Sequence, residues 1–209
     1  MIVATLVSTL SSGPVQAVQW NGYGNQFNYR MTGGDRVYYW YHGSAFSNSY
    51  SQAFDYALLG WSQPRVNGAT SPATRCTPYN DFAHTYEPNI SNATVEFYAL
   101  WLTGERAGYN GYAAHYRGSR PNEALVDPDV RSYNWGQVVL NTRLMDSRPV
   151  VNGAGSKRAV ASHELGHVLG LAHWQVGGTV MAQEAPFGTP LRNVSGPTCQ
   201  DNNSLRVRW

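Results

Sequence analysis

The chain has 209 residues, enough to bury one sizeable core, so a single domain is the default. Its formal net charge is +2, and all but one of its 15 basic residues are scattered arginines. That excludes the clustered Lys/Arg footprint of a nucleic-acid binder. Charged residues make up 13%, about half of ordinary usage, and Gly, Asn, Ser, Thr and Tyr take their place as on a loop-rich exported surface.

In chain order, MIVATLVSTLSSGPVQA opens on a short apolar run and ends at Val15-Gln16-Ala17, a small-residue triplet of the kind cut on export. Residues 1–17 therefore read as a signal peptide and 18–209 as one secreted catalytic domain. A buried strand is the alternative for the first segment, because no Lys or Arg precedes the run. Beyond it no apolar stretch reaches the 18 or so residues of a membrane span. QFNYRMTGG, residues 26–34, reads as a first strand closed by a Gly-Gly break. In SNSYSQAFDYALLGWSQP, Tyr50, Phe54, Ala57, Leu58 and Trp61 recur every three or four residues. This predicts an amphipathic helix with Ser47 or Ser49 as cap and Pro64 as stop.

Residues 65–92, rich in Pro, Asn, Thr and Ser, read as loop, and ATVEFYALWL has the β-branched and aromatic content of a strand. Residues 103–136 show no clear periodicity, QVVLN at 137–141 predicts the next strand, and 146–155 are turn material. Ser156 can cap a helix through KRAVASHELGHVLG, with Ala159, Val160, Leu165, Val168 and Leu169 on its buried side and Gly170 as left-handed terminator. TCQDNNSLRVRW predicts a last short helix. There is no internal repeat and no low-complexity linker, hence no second domain.

Half of the six histidines fall within VASHELGHVLGLAHW, Val160 to Trp174. His163 and His167 stand four residues apart, so on a helix their imidazoles leave the same face and can share one cation. Gly170 allows a bend that returns His173 as a third nitrogen. Three neutral imidazoles make a zinc site with one open position, the arrangement of a catalytic rather than a structural ion. Glu164 is rotated about a quarter turn from His163, placed to reach a water at the ion instead of the ion itself. It would take the water's proton and pass it to a leaving amine. The competing reading is a coincidence on an apolar helix. Five specified residues, His163, Glu164, His167, Gly170 and His173, would coincide roughly once in a hundred thousand such chains.

HELGHVLGLAH resembles the metzincin signature H-E-x-x-H-x-x-G-x-x-H at every fixed position, and GGTVMAQ supplies the methionine of a Met-turn, Met181, eight residues after His173. That short spacing is similar to the matrixin branch. YRM with the helix after it, VEFYAL and VVLN resemble matrixin strand and helix segments, so the likeness spans residues 27–209 with its specific part at 163–181. It implies an α+β fold: a twisted, mixed, mostly parallel sheet backed by two helices, one of them the active-site helix, and a C-terminal subdomain after the glycine bend. It also implies catalytic zinc, Met181 as a thioether floor beneath the imidazoles, and Ala182 to Pro190 walling the pocket beyond the scissile bond. The family's calcium and second-zinc pattern is not evident, and His115, Asp127 and Asp129 are the candidates for such an ion.

Cys76 and Cys199 are the two cysteines, and in an exported chain such a pair is most simply a disulfide, with two free thiols as the alternative. TRCTPYND also resembles a propeptide cysteine switch, which would make Cys76 an inhibitory zinc ligand. Its place after a strand and helix of the catalytic domain argues against that. The reading is a secreted, monomeric zinc endopeptidase acting on protein or peptide substrates. The rival is a secreted binding or toxin-like protein on the same scaffold with little turnover, which would have no reason to keep Glu164.

Overall fold

The computed structural model describes residues 18–20, 23–33, 36–63, 76, 80–88, 94–147, 156–174, 179–182 and 196–206. The signal-peptide segment, Pro64 and residues 183–190 lie outside the described residues. Strands β1 (Val18–Trp20) and β2 (Tyr23–Gln26) form an antiparallel ribbon. The main sheet holds β3 (Arg36–Tyr41), β4 (Asp81–His84), β5 (Thr94–Leu100), β6 (Gly111–Arg117), β7 (Ala124–Val126) and β8 (Trp135–Asn141), in the order β4-β3-β5-β8-β6-β7. β4, β3, β5 and β8 run parallel, whereas β6 is antiparallel to both β8 and β7. The helices are α1 (Tyr50–Ser62), α2 (Thr142–Ser147), α3 (Lys157–Val168) and α4 (Cys199–Arg206). The fold is α+β with a mixed, mostly parallel sheet, as the sequence led us to expect.

Strand alternation decides where the core lies. Val95, Phe97 and Ala99 of β5 and Val138 and Leu140 of β8 join the apolar cluster that α1 and α3 close from one side. α1 buries Tyr50, Phe54, Ala57, Leu58 and Trp61, the five residues whose spacing predicted it. α3 lies directly on β6 and β8, and two glycines make room for it. A Cβ at Gly136 would strike the Val168 side chain, and one at Gly111 the Val160 side chain. No described helix is long and apolar enough to cross a membrane.

Three expectations need correction. The first strand of the sheet is not 26–34 but Arg36–Tyr41, while Phe27–Thr32 hydrogen-bonds to backbone near Gly170 and Tyr133. RVYYWY carries bulky rings on both faces, so it shows none of the polar–apolar alternation that marks a strand in a sequence. Residues 103–136 hold β6 and β7, hidden because β6 turns Gly111, Ala113 and His115 toward the helices instead of large apolar side chains. Within the predicted loop 65–92, β4 is a four-residue edge strand too short to register. The C-terminal helix is present as α4, and Cys76 is disulfide-bonded to Cys199 at its first residue, with 5.7 Å between the Cα atoms.

Candidate metal centre

α3 begins as its sequence predicts: Ser156 accepts the Ala159 amide on its Oγ at 3.2 Å. Every residue from Ala159 to Val168 is buried. The helix is therefore enclosed on all sides, and its small residues Ala161, Ser162 and Gly166 let neighbours come close. Trp61 of α1 donates its indole N–H to the Ser162 carbonyl at 3.0 Å. At the other end Gly170 adopts φ +110°, the Leu171 amide reaches back to the Gly166 carbonyl and the Gly170 amide to that of His167, both at 3.0 Å. This paired closure is the Schellman ending, which turns the chain sharply after the helix.

The bend brings His173 back to His163 and His167. Their Nε2 atoms are 3.0 Å (His163–His167), 3.1 Å (His163–His173) and 3.2 Å (His167–His173) apart. His163 Nδ1 lies 2.7 Å from the Val180 carbonyl and His167 Nδ1 2.7 Å from the Leu171 carbonyl. A carbonyl only accepts, so both Nδ1 atoms carry protons, and in the neutral rings both Nε2 atoms present acceptor lone pairs toward the same point. A cation placed between them would satisfy both at once, and the three rings are close enough to share it. The spacing also fits: Zn–N bonds of about 2.0–2.1 Å at tetrahedral angles separate their nitrogens by about 3.3 Å. Among the described residues, His163, His167 and His173 form the group able to hold a metal ion, with His173 the most open.

Met181 is 2% exposed and sits under α3, where any Cβ on Gly166 would collide with its sulfur. Its carbonyl accepts the Trp174 amide at 2.8 Å, which locks the turn to the chain leaving His173. Trp174 is half-buried and packs against the core. Glu164 occupies the next position along α3 from His163 and is 8% exposed.

Asp201 of α4 is a site residue that reading the sequence missed. Its Oδ2 accepts the Val180 amide at 3.1 Å, the Thr198 amide at 2.8 Å and the Thr198 hydroxyl at 2.9 Å. Asp201 thus fixes the residue whose carbonyl orients His163. Burial raises its pKa against the lowering effect of these hydrogen bonds. The signal was present: Thr198 and Asp201 form a T-x-x-D capping box, completed by the Asp201 amide on Thr198 Oγ1 at 3.3 Å.

The candidates for a further ion do not gather. His115 is buried, and its Nε2 donates to the His167 carbonyl at 3.0 Å. Desolvation by burial lowers its pKa to about 4, so the ring is neutral. Asp127 accepts the Asp129 amide, and Asp129 accepts the Asn28 amide through Oδ1 at 3.0 Å. Tyr133 donates to the Val168 carbonyl at 2.8 Å. His115 and Tyr133 therefore supply donors to carbonyls of the last helical turn, where intrahelical partners run out. Cys76, bound to Cys199, has no thiolate to offer a metal. His42 caps a short 3-10 turn at Gly43–Phe46, and His84 packs edge-on against Tyr39 and Tyr86.

No curated protein sequence matches the chain. A solved structure similar to it is high choriolytic enzyme 1, a hatching enzyme zinc-protease from Oryzias latipes (Medaka fish). The two are 12% identical, with 87% of this chain and 92% of that chain covered and a TM-score of 0.41. The matrixin family model matches residues 76–192, more than half of the sequence and the whole of the histidine cluster with its methionine turn. By that match the chain belongs to the matrixin family of zinc metalloproteases.

Proposed function

We propose that the protein is an exported endopeptidase in which Glu164 is the general base. The observation that carries the reading is the convergence of three imidazole Nε2 atoms within 3.2 Å of one another, with a buried carboxylate adjoining the first of them in sequence. A zinc ion held by His163, His167 and His173 would polarise the scissile carbonyl and acidify the attacking water. Glu164 takes the proton from that water as it adds to the carbonyl carbon, then delivers it to the departing amine nitrogen. The Val180 and Leu171 carbonyls hold the rings in the tautomer whose Nε2 is an acceptor able to bind the ion.

β6 gives the substrate a place to lie. β7 pairs with His115–Arg117 alone, so among the described residues Gly111–Ala114 has β8 on one side and no strand on the other. An extended peptide added along that edge is held by main-chain hydrogen bonds, which suits cleavage within a chain. Export is supported by the 1–17 segment and by the Cys76–Cys199 bridge, which belongs in an oxidising compartment.

The test is Glu164→Gln. The variant is expected to bind zinc stoichiometrically, by elemental analysis, and to lose peptide hydrolysis by about 10²- to 10⁴-fold in kcat, the usual worth of a general base. Unchanged hydrolysis would remove Glu164 from the mechanism.

A further inference from the structure

His163 and His167 are anchored differently. The carbonyl that orients His163 belongs to Val180, whose amide is held by Asp201, whereas the Leu171 carbonyl that orients His167 belongs to the chain just past the glycine bend. What holds that chain is the segment Gln26–Thr32. Gln26 bridges Leu171 in antiparallel fashion, and the Phe27 amide donates to the Gly170 carbonyl at 3.0 Å. The Phe27 ring then lies 5.8 Å from the His167 ring, and edge-on to His115 at 5.4 Å. His115 in turn donates to the His167 carbonyl.

We propose that Phe27 is a positioning residue for the metal centre, and that Gln26–Thr32 is a brace fixing His167 through its ring, its Nδ1 acceptor and its carbonyl. The inference rests on His163, His167 and His173 being the metal ligands. The brace is itself secured further on. Asn28 donates its amide to Asp129 Oδ1 and its Nδ2 to the Asp129 carbonyl, each at 3.0 Å. The Tyr29 amide donates to the Pro128 carbonyl at 2.9 Å and the Thr32 amide to the Tyr133 carbonyl at 2.8 Å. Tyr133 closes the loop through its hydroxyl on the Val168 carbonyl. Groups that orient a metal-binding imidazole typically change metal affinity by about 10- to 100-fold when removed.

The experiment is a zinc dissociation constant, read by competition with a chromophoric chelator on the full chain. Phe27→Ala is expected to weaken zinc by about 10- to 100-fold, with Phe27→Leu recovering most of the loss by refilling the space. Val37→Ala, in the core at β3, is the control for general destabilisation and should leave zinc affinity unchanged. Should Phe27→Ala fail to fold, Asn28→Ala at the exposed side of the brace decides, with a loss of about two- to tenfold expected for one hydrogen bond. Unchanged affinity in the Phe27 or Asn28 variant, or an equal loss in Val37→Ala, overturns the brace while leaving the zinc site standing. A wild-type chain that takes up no zinc overturns both.

Discussion

Gly166 is the tightest point beneath the histidines. A Cβ there would lie 2.8 Å from the Trp61 ring and closer still to the Met181 sulfur. Retreat is costly for both neighbours, since Trp61 is a rigid, fully buried ring with its N–H on Ser162 and the Met181 side chain is packed into the same core. In Gly166→Ala two effects oppose each other: alanine favours the helix by about 1 kcal/mol, while overpacking costs about 1–3 kcal/mol. With retreat costly for both neighbours the second prevails. The variant is expected to melt lower, with and without zinc, in a thermal unfolding experiment. A rise in Tm would mean that Met181 does not pack against this turn. The need for a glycine here follows from Trp61 and Met181, which are far from it in sequence.

At the scale of elements, the entrance of α3 is held by one carboxylate. Lys157, the first helical residue, puts a positive charge at the positive end of the helix dipole. Asp146 of α2 answers it: Oδ1 accepts Lys157 Nζ at 2.7 Å and the Tyr50 hydroxyl at 2.9 Å, and Oδ2 accepts Asn48 Nδ2 at 3.0 Å. The ammonium also lies 3.9 Å over the Tyr50 ring. One side chain thereby ties together the starts of α1 and α3. Burial works to raise the Asp146 pKa, but the hydrogen bonds from Lys157, Asn48 and Tyr50 and the Lys157 charge prevail and hold it below the ordinary 3.8. For a carboxylate with a depressed folded-state pKa, the stabilisation is complete above the unfolded value and lost as pH falls through the folded one. Asp146→Asn is therefore expected to lower Tm at neutral pH, and the gap from wild type to close as pH drops below 3.8. Melting curves of both proteins from about pH 7 to about pH 3 check this. A gap independent of pH would show that the charge of Asp146 is not what stabilises the junction.

Over the whole molecule, the Cys76–Cys199 bridge joins a mid-chain segment to α4 across 123 residues of sequence. α4 carries Asp201, Asp201 holds Val180, and the Val180 carbonyl orients His163, so the bridge and the metal centre share a mechanical path. Replacing both cysteines by serine is expected to cost about 2–5 kcal/mol, some 5–15 °C in Tm, by scanning calorimetry. A double variant that melts at the wild-type temperature would mean α4 is secured without the bridge.

From the sequence alone came the histidine cluster of the centre and the elements that surround it most closely. Histidines four apart on a helix, a carboxylate between them and a glycine before the third histidine are local relations, and helical geometry converts local spacing directly into spatial proximity. α1 was legible for the same reason, its five large apolar residues following the helical period along one stripe. The tertiary structure alone decided what stands behind the histidines. Phe27, Asp201, His115 and Tyr133 reach the site from segments far apart in the chain and bind backbone amides and carbonyls there, groups that any residue possesses and no sequence pattern marks. β3 and β6 stayed hidden because a strand takes its identity from its partners. RVYYWY and GYAAHYR become strands only where β5 and β8 supply the other half of each hydrogen-bonded ladder.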